Sequence, residues 1–342
     1  MALIEARVFR FVFMRGVFFI VGPTATGKSE IAADVAAELG AEIISADAFQ
    51  IYRGLDLLTA KPDLATLAKA PHHLVGTVSI SDEMSAAKFR ERALVAISEV
   101  HSRGKLAIVV GGGGLYIKAL THGLSSAPAA DPDLRARLNE ISLHDLQNKL
   151  LALDPEAASK IDLKNRRRLV RAIEICLLSR RPASAQRTEW KAVEAAVLGG
   201  KSRGAAETAA TTGVFVFRER DEIYERINRR VEAMFENGVI DEARNAGAMS
   251  ETASKMIGLR EIRELLDGKT SILSASRADS SRGEQCVAAI QQATRRYAKR
   301  QLTWFRRQTN FQALNLSLLS QNEAVKEISQ LARSFGVTQG ND

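Results

Sequence analysis

Continuous apolar runs, rather than strict alternation, mark the strands in the first third of the chain. Val17-Phe18-Phe19-Ile20-Val21 is unbroken and reads as a strand buried on both faces. A helical pattern follows over residues 29–39, with Ile31, Val35 and Leu39 recurring at four-residue spacing and Gly40 as the stop. Glu42 to Ala46 predicts a second strand closing on Asp47. Residues 85–101 read as a helix with Ser85 as its N-cap. Leu106 to Val110 predicts a third buried strand, ending in Gly111-Gly112-Gly113-Gly114. Strands alternating with helices predict an α/β fold with a parallel, doubly wound sheet and helices on both faces. Ligands of such sheets lie beyond the carboxyl ends of the strands. Gly22 to Ser29, Asp47 and the glycine run all sit at such ends, so they are expected to converge.

The pattern changes after His122. Pro128, Asp131 and Pro132 form a junction, and residues 134–178 read as helices with no strand between them. Residues 182–204, rich in Ala, Gly, Ser and charge, read as loop. Val214 to Phe217 predicts a strand returning to the core, and residues 223–235 and 285–307 are amphipathic helices. The organisation expected is an α/β core over 1–121 and 205–342, interrupted by an all-helical insertion over 122–204.

A length of 342 residues suits two such bodies. No apolar run reaches the roughly 18 residues needed to span a bilayer. The apolar N-terminal stretch is broken by Glu5, Arg7, Arg10 and Arg15 and runs into the glycine-rich loop. It reads as a short leader before a core strand, not a secretory signal, with Met14 an alternative start. Two distant cysteines, Cys176 and Cys286, exclude a disulfide framework and suit a reducing cytoplasm. The net charge of +8 gathers in two places. One is Lys160, Lys164, Arg166, Arg167, Arg168, Arg171, Arg180 and Arg181, and the other is Arg295, Arg296, Lys299, Arg300, Arg306 and Arg307. Either could be a solvated helix face, but two clusters together favour a polyanionic partner.

Gly22-Pro23-Thr24-Ala25-Thr26-Gly27-Lys28-Ser29 is a P-loop in the required context, between a strand and a helix. Its backbone N–H groups cradle phosphate oxygens, Lys28 adds a point charge, and the Ser29 hydroxyl is placed to ligate Mg²⁺. A nucleotide is the default ligand. NTP-cleaving relatives hold Mg²⁺ with an Asp at a neighbouring strand end, where this chain has glycines. Asp47 reads three ways: a metal ligand, a general base facing the bound phosphate, or a turn-capping Asp. Gly111 to Gly114 allow a ligand or backbone to approach closely, or simply turn the chain. His72 and His73 are read as loop residues with a structural role. Arg226 and Arg230, four apart on one helix face, could clamp a diphosphate. On sequence alone, pairing with Asp221, Glu222 or Glu225 on a solvated face is the better reading. Tyr297 to Arg306 interleaves aromatics with bases, which suits single-stranded nucleic acid. An amphipathic helix with Tyr297 and Trp304 in the core is the plain alternative.

The ordered set resembles one family over nearly the whole chain, the tRNA dimethylallyltransferases, also called tRNA isopentenyltransferases. Its marks are the P-loop, Ser45 to Asp56, Thr59-Ala60-Lys61-Pro62, Pro71-His72-His73-Leu74 and Val110 to Tyr116. Arg168 to Glu174, Arg226-Ile227 with Arg230, Ile257 to Glu261 and Ala298 to Trp304 continue it. The resemblance implies a P-loop NTPase-like core that holds diphosphate rather than ATP. Dimethylallyl diphosphate would donate its prenyl group to N6 of the adenosine 3′-adjacent to the anticodon, in tRNAs reading codons that begin with U. Asp47 would be the base, while Lys28, Thr24, Arg230 and Mg²⁺ on Ser29 would stabilise the leaving diphosphate, with Arg226 beside them. Positions matching the family's RNA contacts are Asp47, Ala48, Phe49, Gln50, Gly113, Arg135, Arg166 to Val170, Met256 to Glu261 and Ala298 to Phe305, including Lys299, Arg300, Gln301 and Trp304. The implied enzyme is a cytoplasmic monomer gripping the anticodon stem-loop. Four departures stand out. Gly113 replaces a usual Thr, Leu57-Leu58 a usual Ile-Gly, Leu259 a usual Tyr, and Lys164-Asn165 a usual Asn-Asp, which is expected to weaken the following helix cap. Competing readings are an adenylate isopentenyltransferase acting on free AMP, ADP or ATP, an ATP-hydrolysing RNA-binding switch, and a small-molecule kinase.

Overall fold

The computed structural model describes residues 17–124, 127–185, 213–267 and 280–337. The leader and most of the 182–204 segment therefore lie outside the described residues. The chain divides into two compact units, Met1–Ile117 with Thr208–Asp342, and Lys118–Glu207.

The first unit is built on a six-stranded parallel sheet. In chain order its strands are β1 (Val17–Val21), β2 (Glu42–Ser45), β3 (His72–His73), β4 (Ala107–Gly111), β5 (Gly213–Phe217) and β6 (Phe311–Asn315). Their spatial order is β3-β2-β4-β1-β5-β6. His72 and His73 are thus not loop but a short edge strand in register with Ile43 and Ile44. Strand side chains alternate between faces. One face, with Phe18, Ile20, Ile108, Val110, Val214 and Val216, is covered by α1 (Lys28–Leu39) and the last helix, Gln321–Val337. The other carries Phe19 and Phe215, with Phe215 stacked on Phe305 at 5.5 Å between ring centroids. Helices on both faces explain why the central strands are written as unbroken apolar runs.

Among the described residues, the other α-helices of this unit are α2 (Leu64–Lys69), α3 (Ala86–Ser102), α4 (Gly114–Thr121, continuing past the unit boundary), α9 (Arg220–Glu236), α10 (Val239–Arg244), α11 (Leu259–Leu266), α12 (Ser280–Phe305) and α13, the Gln321–Val337 helix. Ser85 caps α3, accepting from the Lys88 N–H as its position suggested.

Glu42 ties the β2–β3 edge together. It is 3% exposed, yet its carboxylate accepts from Arg103 Nε and Nη2 at 3.0 and 2.7 Å and pairs with His73 Nε2 at 2.8 Å. Lys105 Nζ approaches the same carboxylate at 3.1 Å. Hydrogen bonding from Arg103 is the main reason its carboxyl is held down to about 2. A depressed carboxyl contributes stability above its unfolded value and loses it as pH falls toward the folded one. Unfolding midpoints measured from pH 7 to 2 are therefore expected to fall below about pH 4.5. The Glu42→Gln protein should start about 1–2 kcal/mol less stable at pH 7 and show a flatter acid limb. Equal acid sensitivity in both proteins would remove Glu42 as the source.

The second unit contains α5 (Pro132–Glu140), α6 (Leu143–Leu153), α7 (Pro155–Lys160) and α8 (Arg166–Ser179), with no strand among its described residues. Leu138, Leu146, Leu150, Leu169 and Ile173 form its core. Asp131, Ser142, Asp154 and Asn165 each cap the helix that follows. Asn165 accepts from the Arg168 N–H at 3.2 Å, so the expected weak cap on α8 is a regular one. Cys176 and Cys286 are buried free thiols.

Candidate active site

The P-loop leaves β1 and enters α1 through left-handed backbone at Ala25 (φ 66°) and Gly27 (φ 85°). Gly27 is the N-cap of α1 and supplies no side-chain cap, which leaves the first helical N–H groups for an anion. Lys28 folds back over the loop, its Nζ donating to the Pro23 carbonyl at 3.2 Å. Burial lowers its ammonium to about 8, with Asp47 pulling it up and Arg230 pushing it down. Thr26 is fully buried, its hydroxyl donating to the same Pro23 carbonyl at 3.0 Å.

Three arginines hold the outside of the loop, one per residue. Arg230 donates to the Thr24 hydroxyl at 3.0 Å, Arg226 to the Ala25 carbonyl at 2.8 Å and Arg218 to the Thr26 carbonyl at 2.8 Å. A trans peptide points its C=O and the next N–H in opposite directions. Fixing the Ala25 and Thr26 oxygens outward therefore turns the Thr26 and Gly27 N–H groups the other way. The solvated-face reading of Arg226 and Arg230 is overturned: it is Arg229 that pairs with Glu225, and Arg218 with Glu222. Arg230 is half-buried, and its Nε, shielded from solvent, has no partner among the described residues. A desolvated cation with an unused donor is fitted to an anionic ligand. Arg218 escaped the sequence reading because no spacing links it to the loop 192 residues earlier.

Asp47 lies two residues beyond β2. Its Oδ1 accepts the Phe49 and Gln50 N–H groups at 2.9 and 3.2 Å, so it does cap a turn. The same carboxylate lines a small cavity with Lys28, Ser29, Gln50, His72 and Gly111. Of the three readings of Asp47, the turn cap is the one seen directly, and it engages one carboxylate oxygen, Oδ1. The Gln50 amide nitrogen is anchored on the Ala60 carbonyl at 2.8 Å. His72 Nδ1 meets the Ala70 carbonyl at 2.7 Å, and burial holds its ring below the usual histidine value.

The glycine run turns from β4 into α4 against other backbone. A Cβ at Gly111 would fall 2.4 Å from the Ala46 carbonyl oxygen, and one at Gly114 would fall 2.7 Å from the Trp304 ring. Gly113, in place of the expected Thr, has the Ala46 oxygen 3.0 Å from where a Cβ would sit, so any side chain there is tightly confined. Helix α12 packs beside this turn. In its last two turns the buried positions are Ala298, Gln301 and Phe305, while Tyr297 and Trp304 are half-buried, not core. Lys299 and Arg300 are exposed, with the Arg300 guanidinium 5.7 Å from the Tyr297 ring centroid. Ala48 and Phe49 are partly exposed beside Asp47.

In the helical unit, Arg167 and Arg168 are exposed at the start of α8. Arg166 is spent on the carbonyls of Leu138, Asn139 and Ile141 at the end of α5. Arg135 is held bidentately by Glu174 at 3.0 Å on both nitrogens, and Glu174, fully buried, also takes Arg171 at 2.6 Å. These interactions order the basic surface of this unit from within.

A family model described as IPP transferase matches residues 50–308. The chain belongs to the IPP transferase family. Among its relatives in the family, tRNA dimethylallyltransferase 1 of Citrifermentans bemidjiense is 40% identical over 295 residues, covering 84% of this chain and 88% of that protein. The tRNA dimethylallyltransferase of Akkermansia muciniphila is 39% identical over 290 residues, covering 85% and 90%. The crystal structure of the full-length tRNA isopentenylpyrophosphate transferase of Bacillus halodurans superposes with a TM-score of 0.64 at 32% identity, covering 95% of this chain and 97% of that one. A eukaryotic dimethylallyltransferase acting on tRNA, 22% identical, shares the fold with a TM-score of 0.70.

Proposed function

We propose that this chain transfers the dimethylallyl group of dimethylallyl diphosphate to N6 of the adenosine 3′-adjacent to the anticodon, in tRNAs reading codons that begin with U. The observation that carries the proposal is the strand-end cavity lined by Lys28, Ser29 and Asp47, beside a P-loop whose Thr24 hydroxyl is held by Arg230. The N6 lone pair attacks the allylic carbon, the carbon–oxygen bond to diphosphate breaks, and Asp47 takes the N6 proton. Lys28, Arg230 and the inward N–H groups of the loop stabilise the charge gathering on diphosphate. Arg226 and Arg218 hold the loop in that shape. An exocyclic amine conjugated to a purine is a poor nucleophile, so placement contributes as much as the base.

The donor set fits Mg²⁺. Ser29 offers a hydroxyl beside Asp47, and no cluster of three His, Cys, Asp or Glu occurs among the described residues. A hard cation of this kind keeps waters and binds substrate phosphate oxygens through few protein ligands. Ser29 would hold it, and when bound it neutralises diphosphate charge. The exposed Lys299 and Arg300 on α12, and Arg167 and Arg168 on α8, supply phosphate-backbone contacts. The target adenine must leave its stack, which costs least in a single-stranded loop. No helix among the described residues is long and apolar enough to cross a membrane, and the reading is of a cytoplasmic monomer.

The test gives purified protein labelled dimethylallyl diphosphate with tRNA, with free AMP, or with ATP alone. Label should enter tRNA only, at the adenosine after the anticodon. Label in AMP would make the chain an adenylate isopentenyltransferase, and ATP turnover without transfer would leave an ATPase or kinase.

A further inference from the structure

Gln301 lies on the helix that carries Lys299 and Arg300, yet its side chain faces the donor loop. It is 6% exposed. Its Oε1 accepts the Thr24 N–H at 2.9 Å, and its Nε2 donates to the Gly112 carbonyl at 2.8 Å. One amide therefore spans the P-loop and the glycine turn. Its orientation is fixed chemically, because an N–H lies on one side and a carbonyl on the other. The same two segments meet directly through the Gly22 N–H and the Gly111 carbonyl, 3.2 Å apart. Around this bridge there is no spare room. A Cβ on Gly112 would lie 2.2 Å from Gln301 Nε2 and 2.8 Å from the Gly22 carbonyl oxygen.

We infer that Gln301 is a positioning residue for the donor, clamping the P-loop to the glycine turn from α12, rather than a contact to RNA. The inference rests on the diphosphate-holding role of the loop. Thr24 is the pivot. Its N–H is fixed by Gln301 and its hydroxyl by Arg230, so residue 24 is held from two helices at once. Asp47 follows Ala46, against whose carbonyl the glycine turn closes. Releasing the amide frees the donor loop from the segment that packs beside the base. The distance between the leaving diphosphate and Asp47 then rests on the Gly22–Gly111 contact without the amide beside it. Because α12 also bears exposed cations, the clamp places the RNA-facing surface and the donor loop on one rigid element.

The test compares wild type with Gln301→Met, which preserves volume and removes both hydrogen bonds, and Gln301→Asn, which keeps the amide but is too short to span both partners. Inorganic diphosphate binding is measured by calorimetry without tRNA. tRNA binding is measured by filter retention, and kcat with both KM values in steady state. Thermal midpoints certify that each variant is folded, with Asn the fallback should Met not fold. Expected for both variants is diphosphate affinity weakened roughly tenfold, with donor KM raised and tRNA affinity within about twofold. Weakened tRNA binding with unchanged diphosphate binding would make Gln301 an RNA contact and overturn the inference. A fall in kcat alone, with diphosphate affinity unchanged, would overturn it too. If wild type itself neither binds diphosphate nor transfers the prenyl group, the functional reading fails first. If wild type does both and the variants match it, only the clamp fails.

Discussion

Asp47→Asn should lower kcat for prenyl transfer by about 10²–10⁴-fold, the range lost when a positioned general base is removed. Asparagine is the informative substitution. Its Oδ1 can still accept the Phe49 and Gln50 N–H groups, so the turn after β2 survives and only charge and basicity go. Asp47→Ala removes both and confounds them. tRNA affinity should change little in the Asn variant, because the proposed phosphate-backbone contacts lie at Lys299, Arg300, Arg167 and Arg168. Asp47 also raises the Lys28 ammonium. The Asn variant should therefore lose diphosphate affinity at a lower pH than wild type. Single-turnover transfer with saturating tRNA, together with calorimetry at several pH values, checks both statements. A near-normal rate would leave Asp47 as a turn residue and remove it as base.

Lys28→Met should cost about 10²–10³ in kcat, comparable to loss of one preorganised charge-stabilising donor. It should also erase a pH limb. Burial holds the wild-type ammonium near 8 in the free protein. Below that pH the site is charged and ready for diphosphate, and above it a proton must be taken up on binding. Diphosphate affinity should thus fall above about pH 8, by up to tenfold per unit, and the Met variant should be flat there. Stability moves in the opposite direction. A lysine with a lowered folded value binds fewer protons folded than unfolded, so the free protein gains stability as pH rises from about 8 toward 10.5. Titration between pH 7 and 9.5, with and without diphosphate, separates the two trends. A wild-type affinity that does not change across pH 8 would remove Lys28 as the titrating contact.

The strands nearest the phosphate site were legible because a strand buried on both faces leaves an unbroken apolar run, as β1 and β4 do. The loop between β1 and α1 was legible because glycine and lysine at fixed spacing have few other uses. What stayed hidden depended on distant partners. Arg226 and Arg230 have acids within one helical turn, and only the fold reveals that their targets lie 201 and 206 residues away. Tyr297 and Trp304 share a heptad spacing that suggested a core face. The chain instead buries Ala298, Gln301 and Phe305, because the P-loop and the glycine turn need the amide between them. β3 has two residues and β6 is an edge strand with a mixed burial pattern, so neither writes a run. Asn165 caps α8 as well as the expected pattern would, since its short carbonyl side chain reaches the same N–H.

The grip on the P-loop comes late in the chain. The loop itself is complete at Ser29, but Arg218, Arg226, Arg230 and Gln301 follow the Lys118–Glu207 unit. During synthesis, a nascent chain therefore carries the motif long before it can shape it. A fragment ending ahead of β5 would hold every residue of the loop with its outward carbonyls untethered and its Thr24 N–H unclaimed. Capacity to bind diphosphate should switch on only once α12 has emerged from the ribosome, so the substrate cannot template the folding of the part of the protein that names it.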